Sequence, residues 1–324
     1  FSRASSATVV NQSGLIETVG SGTPRIDFLG NTKGALLLEP QRTNLYTYSN
    51  DVSFWTKSNV VATSNYAISP EGIQNAFRAV FSSSTGFLYI NALGTIGVDN
   101  TLSIWAKSNN GSSNKFRFFG NGSTIISNDY IATEEWQRFE FTYSCTSVTS
   151  GLTGASDSAT NDILFYGFQH EVGSYATSYI PTSGQSGGVT RVADACNNEN
   201  LNVDYSGDYT LYLEHETLSI TEYNQFQFRQ ETSISYIFRV GNSINVGSGL
   251  YSATNTIGFN KFALSVGSDG SYSFYKNGSL LSSGSGLNAN LETLKGDAAG
   301  MSIKDIKLYN TRLSNAELAS LTTI

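Results

Sequence analysis

Apolar and polar residues alternate with a period of two along much of this chain, the pattern of strands that bury one face. Thr101-Leu102-Ser103-Ile104-Trp105-Ala106-Lys107 puts Leu102, Ile104 and Ala106 on one side and Ser103, Trp105 and Lys107 on the other. Asn109-Asn110-Gly111 then predicts a turn, Lys115-Phe116-Arg117-Phe118-Phe119 a returning strand, and Asn121-Gly122 a second turn. Trp136 to Tyr143 alternates strictly, aromatic in and polar out, and the apolar run from Asp162 to Phe168 closes the set. Residues 48–182 therefore read as one antiparallel β-sandwich of jelly-roll type.

The pattern pauses and restarts. Phe168 to Thr182 begins as a strand and ends at Ile180-Pro181, where the proline removes a ladder donor and holds Ile180 extended. Small polar residues follow at 183–190, the composition of a linker. From residue 191 to 324 strands return. Tyr209–Glu214, Ser235–Val240, Asn242–Val246, Phe262–Val266, Ser271–Lys276, Ser279–Ser282 and Ser302–Tyr309 are predicted, with Asp269-Gly270 and Asn277-Gly278 as hairpin turns. Ser314-Asn315-Ala316-Glu317 is a capping box opening one short C-terminal helix. Residues 1–47 hold short strand-like pieces with too few apolar residues for a core of their own. They read as an arm that lies on the first domain or on neighbouring subunits. The fold class expected is all-β: two tandem antiparallel sandwiches and one short helix.

Composition agrees. Charged residues make up 14% of the 324, against a usual share of about a quarter, so the surface is mainly hydroxyl and amide. The net charge of −7 and the lack of Lys/Arg clusters argue against nucleic acid as a partner. No apolar run approaches the roughly 18 residues of a membrane helix, so membrane insertion is not expected. Cys145 and Cys196 are too sparse for a disulfide scaffold and read as buried free thiols. Phe1 is not a translation start, so residues upstream of it are expected in the full product.

Four stretches carry a resemblance: Ala35 to Leu45 (ALLLEPQRTNL), Ser53-Phe54-Trp55, Phe168 to Thr182 (FQHEVGSYATSYIPT) and Thr190-Arg191-Val192-Ala193-Asp194. In this order they resemble a module common in bacteriophage tail and head-fibre proteins, with a core similar to a carbohydrate-binding-module jelly roll. That family usually carries Leu where this chain has His170. The second domain, through Asn260–Ser265, Phe274–Leu280 and Ile306–Leu318, resembles laminin-G-like, concanavalin A-like sandwiches. The resemblance implies a non-enzymatic virion structural protein on the particle surface. Its partners would be other virion proteins, further copies of itself (a trimer foremost) and cell-surface glycans. A secreted carbohydrate-binding adhesin outside any virion is the alternative, and a glycan-degrading enzyme of concanavalin-like fold is the third reading.

The residues weigh against the enzyme. Glu214 and Glu216 stand side by side on one strand at about 6.5–7 Å, within the roughly 5–9 Å that glycosidases use. The strand reads Glu214-His215-Glu216-Thr217, without the third acid of the concanavalin-like glycosidases. His170 and His215 are the only histidines, no nucleophile elbow is present, and no transition-metal spacing occurs. No cofactor is expected. The laminin-G likeness allows a calcium ion among loop oxygens, with Asp204, Asp208, Asp269 and Asp297 as the carboxylates near loops, although they form no ligand-spaced cluster. Glycan binding needs aromatic faces and neutral polar groups, and Tyr89, Trp105 and Tyr166 are the candidates if their strands present a common outward face.

Overall fold

The alternating segments form antiparallel sheets throughout. The computed structural model describes residues 1–91, 94–198, 207–221, 225–230, 236–287, 290–297 and 300–324. Among these the chain is all-β, with one α-helix, Asn315–Thr322, near the C-terminus. Two units form, and neither follows sequence order: residues 6–18 and 42–191 make the first, residues 1–5, 19–41 and 192–324 the second. The expected arm, 1–47, is thus divided between the two. The expected linker is partly a strand, Val189–Arg191, which pairs with Arg42–Asn44 inside the first unit.

In the first unit, a five-stranded sheet runs Gln137–Ser144, Asp99–Ser108, Asn161–Val172, Gln74–Phe81, Val60–Ile68. A six-stranded sheet runs Ile125–Ile126, Asn114–Gly120, Ser150–Gly154, Phe87–Ile90, Thr56–Ser58, with Tyr130–Ala132 also paired to Asn114–Gly120. The core lies between them. Phe77, Leu102, Ile104, Ile163 and Phe165 come from one sheet and meet Leu88, Phe116, Phe118 and Leu152 from the other. The Asn109-Asn110-Gly111 turn does not make the expected hairpin, because Asp99–Ser108 and Asn114–Gly120 belong to different sheets. The connection crosses the sandwich instead, held by Asn109 N donating to Asp162 O (3.0 Å) and Lys115 N to Asn161 Oδ1 (2.5 Å).

One glycine re-aims the strand on which the signature stretch begins. Trp105 pairs with Tyr166 and Ser103 with Gln169, so the Asn161–Val172 strand carries one extra residue there. Gly167, at φ +68°, is that bulge, and a Cβ on it would meet the Tyr179 ring at 3.2 Å. Beyond it Phe168 and His170 turn inward while Gln169 faces out.

The second unit pairs a six-stranded with a seven-stranded sheet. The first runs Ala195–Asn198, Thr293–Asp297, Gln225–Arg229, Tyr236–Gly241, Ser243–Val246, Tyr251–Thr254. The second runs Ser279–Gly284, Tyr272–Lys276, Gly258–Val266, Tyr209–Thr217, Met301–Tyr309, Ala35–Leu38, Ile26–Asp27. Leu211, Leu213, Phe262 and Phe274 pack against Phe226, Phe228 and Phe238 between them. Asn277-Gly278 makes a two-residue hairpin turn, both residues at positive φ (49° and 82°). Asp269-Gly270 sits instead in the five-residue connection 267–271, closed by Gly267 N donating to Ser271 O (2.7 Å). The helix opens with the capping box: Glu317 N donates to Ser314 Oγ, and Ser314 N to the Glu317 carboxylate. Its Leu318 packs on Tyr212, Ala263 and Tyr275, outside the seven-stranded sheet.

Candidate functional site

The three aromatic residues expected to share one face do not. Trp105 and Tyr166 are directly opposed on adjacent strands, on the outward side of the five-stranded sheet. That side is covered: Val10 and Ile16, from the strands Ala7–Val10 and Ile16–Val19, pack over it, as does Tyr179, whose ring meets Tyr166 edge-on at 5.3 Å. Trp105 is 7% exposed and Tyr166 fully buried, so both belong to a second small core rather than to a contact surface. Sequence alternation gives the side of the sheet correctly, and says nothing of the strands that close over it.

Tyr89 lies on the other sheet, facing outward, and is half-buried. A single register row crosses five strands there: Thr56, Tyr89, Gly151, Phe119 and Ile126. In the neighbouring row stand Ser58, Phe87, Thr153 and Arg117. Gly151 explains the arrangement. It has no side chain between Tyr89 and Phe119, and an added Cβ would lie 2.9 Å from the Tyr89 Cβ, so the aromatic rings close over the gap. Phe119 meets Phe87 edge-on at 5.2 Å and Tyr89 at 6.1 Å, the T-shaped contact that aromatic quadrupoles favour. Phe119 is buried at the base, while Phe87 and Tyr89 keep part of their surface in solvent.

The rim is neutral. Thr56 and Ser58 are exposed on the adjoining edge strand, and Thr149 donates to the exposed Asn91 Oδ1 at 3.3 Å. Two nearby cations are engaged. Arg117 Nε donates to Gly154 O (2.8 Å) and faces Asp129 at 3.6 Å, and Lys115 pairs with Asp157 at 2.8 Å, which lowers the Asp157 carboxyl below its usual range. The site is therefore an apolar, weakly polarised plate edged with hydroxyl and amide groups. Its chemistry suits contact with an apolar, hydroxyl-bearing ligand. Phe87 and Phe119 were missed in the sequence, although Phe87 and Tyr89 share one parity of the run Phe87-Leu88-Tyr89-Ile90.

The signature stretch 168–182 recognises its own chain. After Val172 it folds back, and Gln169 holds it: the side-chain oxygen accepts from Ile180 N (2.6 Å), and the amide donates to Thr177 O and Ser178 O. Glu171 is fully buried and accepts from the Thr177 N (2.9 Å) and hydroxyl; burial raises its carboxyl pKa, while the Thr177 bonds and Arg191 oppose the rise. Asn44 donates to Ile180 O (2.9 Å) and Phe168 O, and Thr182 and Ser49 bond each other at 2.5 Å. His170, expected as a structural residue, is buried between Asn100 Oδ1 and Ser150 Oγ, both at 3.0 Å. An amide oxygen only accepts, so Nε2 carries the proton and Nδ1 accepts from Ser150. Burial depresses its pKa to about 3, and the ring is a neutral structural group.

Elsewhere the chemistry is equally engaged. Glu214 accepts from Tyr212 Oη (2.8 Å) and Glu216 faces Lys304 (3.3 Å). A bulge falls between Glu214 and His215 against the Met301–Tyr309 strand. His215 faces inward, stacked on Phe262 at 5.4 Å, with its pKa lowered to about 3 by burial and then by Lys276. No three His, Cys, Asp or Glu side chains converge among the described residues. Of the calcium candidates, Asp208 accepts from Ser268 N (2.8 Å) and Asp269 from Ser271 N (2.9 Å) and Oγ. Asp204 and the Asp297 side chain lie outside the described residues. The described carboxylates do not fit a calcium site. Cys145 and Cys196 are free thiols, the first buried and the second half-buried. Among the described residues no helix is long and apolar enough to cross a membrane.

No protein-family model matches the chain, and no curated protein matches it. Solved structures do. One is the CBM22-1 and GH10 modules of endo-1,4-β-D-xylanase 10B from Clostridium thermocellum in complex with xylohexaose, at 15% identity and TM-score 0.29, covering 43% of this chain and 29% of that one. Another is the CBM22-1 xylan-binding domain of Xyn10C from Paenibacillus barcinonensis, at 15% identity and TM-score 0.30, covering 43% of this chain and all of that one. The tandem CBM22-1-CBM22-2 domain of the same enzyme matches at 10% identity and TM-score 0.31, over 91% of this chain and all of that one. Likenesses this loose carry no binding residue from those proteins to this chain.

Proposed function

We propose that this chain is a non-enzymatic glycan-binding protein, and that Phe87 and Tyr89 form its sugar contact on the first sandwich. The observation that supports this most is the half-exposed aromatic plate, built over Gly151 and rimmed by Thr56, Ser58 and Asn91. A pyranose ring presents an apolar C–H face and an equatorial rim of hydroxyls, and a plate of this kind matches both. One such contact is shallow and binds weakly, so useful attachment needs several copies acting together. The resemblance of the signature stretches to phage fibre proteins supplies that setting. The finer reading is a tail- or head-fibre subunit on the surface of a virion, assembled with other virion proteins as a homotrimer.

The test is a glycan array probed with the wild-type chain, multimerised to raise avidity, and with Phe87→Ala/Tyr89→Ala. Binding to a defined set of neutral glycans is expected, with loss of at least about tenfold in the double variant, since each stacked ring contributes about 1 kcal/mol. Equal binding by the double variant sinks the assignment.

A further inference from the structure

A second surface has a different chemistry and belongs to the second unit. In its six-stranded sheet, Phe226, Phe228, Phe238, Val240, Ile244 and Val246 turn inward. Strand alternation therefore turns Gln227, Arg239 and Asn245 to the other side of the sheet, where Gln227 and Asn245 are buried and Arg239 is half-buried. Register aligns them with their neighbours in one row across five strands: Lys295, Gln227, Arg239, Asn245, Ser252. Every member is a cation, an amide or a hydroxyl. Arg229 faces the same way one step along, opposite Tyr236.

Arg239 is the centre of this strip. Its guanidinium stacks over the Tyr236 ring at 4.6 Å. With the Asn245 amide oriented to satisfy its neighbours, the Asn245 oxygen accepts from Arg239 Nε at 3.3 Å and Nη2 at 3.1 Å, which leaves the Nη1–Nη2 edge of the fork for a ligand, and its nitrogen donates to Ser252 Oγ at 3.1 Å. Gln227 in turn donates to Gln225. Ring and amide hold the guanidinium flat, and no carboxylate pairs with Arg239 among the described residues. Unlike Arg3, Arg25 and Arg78, each of which pairs with a carboxylate, this cation is oriented and uncompensated on a chain of net charge −7.

We infer that this strip binds a polysaccharide bearing carboxylate groups, with Arg239 taking a uronate carboxylate, Lys295 and the exposed Ser252 contacting the polymer on either side, and the buried Gln227 and Asn245 bracing the guanidinium from below. The fork of the guanidinium matches a planar carboxylate with two parallel N–H donors, which a lysine could not reproduce. The partly exposed members, Lys295, Arg239 and Ser252, are spread across neighbouring strands, a spacing suited to an extended polymer rather than to a compact anion. An acidic protein repels polyanions over most of its surface, so acidic-sugar binding has to be local. This assignment is independent of the Phe87–Tyr89 plate, which lies in the other unit.

The experiment is titration calorimetry of the full chain with an oligogalacturonate, with a neutral xylo-oligosaccharide as control. Wild type, Arg239→Gln, Ser252→Glu and Phe87→Ala/Tyr89→Ala are compared. Oligogalacturonate is expected to bind the wild type at low salt, and roughly tenfold more weakly in Arg239→Gln or in about 0.5 M salt. Ser252→Glu changes an exposed residue at the end of the row and keeps the test open if Arg239→Gln does not fold. It too is expected to weaken binding, while the double aromatic variant binds as the wild type does. No binding, equal binding by both strip variants, or loss only in the aromatic variant overturns the inference. So does self-association of the wild type that Arg239→Gln abolishes, which would assign the face to a second copy.

Discussion

Two residues show how tightly this chain constrains its buried polar groups. Asp194 sits fully buried in the second unit and pairs with Arg3 at 3.0 Å and with Arg25, which also reaches Glu39 at 2.7 Å. The Asp194 carboxylate also accepts from Glu39 N at 2.9 Å. Glu39 and Asp194 are the acidic residues of two signature stretches, so that part of the signature is an internal ion network. Asp194→Asn leaves two buried guanidinium groups short of a negative partner, and is expected to destabilise the second unit by about 3–5 kcal/mol, read as a lower denaturant midpoint. His170 makes the other case. Its folded pKa is near 3 and its unfolded value about 6.5, so the unfolded state takes up the proton first as pH falls. Its contribution to stability is complete above about pH 6.5 and drains away towards pH 3. His170→Leu should flatten that part of the pH–stability profile and lower stability at neutral pH, because Ser150 and Asn100 lose a partner. Trp55, Trp105 and Trp136 all lie in the first unit, so tryptophan fluorescence follows it directly. An unchanged acid slope in His170→Leu would contradict the assignment.

At the level of elements, the signature stretch works as a clasp. Gln169 closes it by meeting three backbone groups of residues 177–180 with one side chain. Gln169→Leu has similar bulk and no donor or acceptor, so the buried Ile180 N loses its acceptor at a cost of about 1–3 kcal/mol, while Thr177 O keeps its Arg138 donor. Faster amide hydrogen exchange across 174–182 is the expected outcome, and exchange indistinguishable from the wild type would show that the clasp does not depend on Gln169. Much of this scale was legible in the sequence. The strands around Leu102, Phe139 and Leu211 follow from alternation, and the C-terminal helix from its capping box. Two things were not. The bulge at Gly167 depends on a positive φ that the sequence does not announce among many glycines. The burial of Trp105 and Tyr166 depends on residues far away in the chain, Val10 and Ile16, docking over their face. At the aromatic plate, Phe119 and Gly151 meet Tyr89 through register, which a single sequence leaves open.

At the scale of the whole molecule, two sandwiches are each assembled from separated stretches of chain. The chain passes from one unit to the other at 5/6, 18/19, 41/42 and 191/192. The seven-stranded sheet of the second unit takes in Ala35–Leu38 and Ile26–Asp27 alongside Met301–Tyr309. Early segments are thereby tied into a sheet that ends nearly 300 residues later. The first 47 residues contribute to both units because their strand partners are remote in sequence. Among the described residues both histidines are buried and neutral, and the proposed function places the binding on surfaces of the sandwiches.

The most direct test of that account is hydrogen-exchange footprinting of the full chain with the strongest neutral glycan from the array, run alongside mass analysis of the glycan. The account predicts protection at 87–91 and 149–151, and a glycan of unchanged mass after prolonged incubation. Protection confined to other strands, or a glycan cut into shorter products, would contradict it.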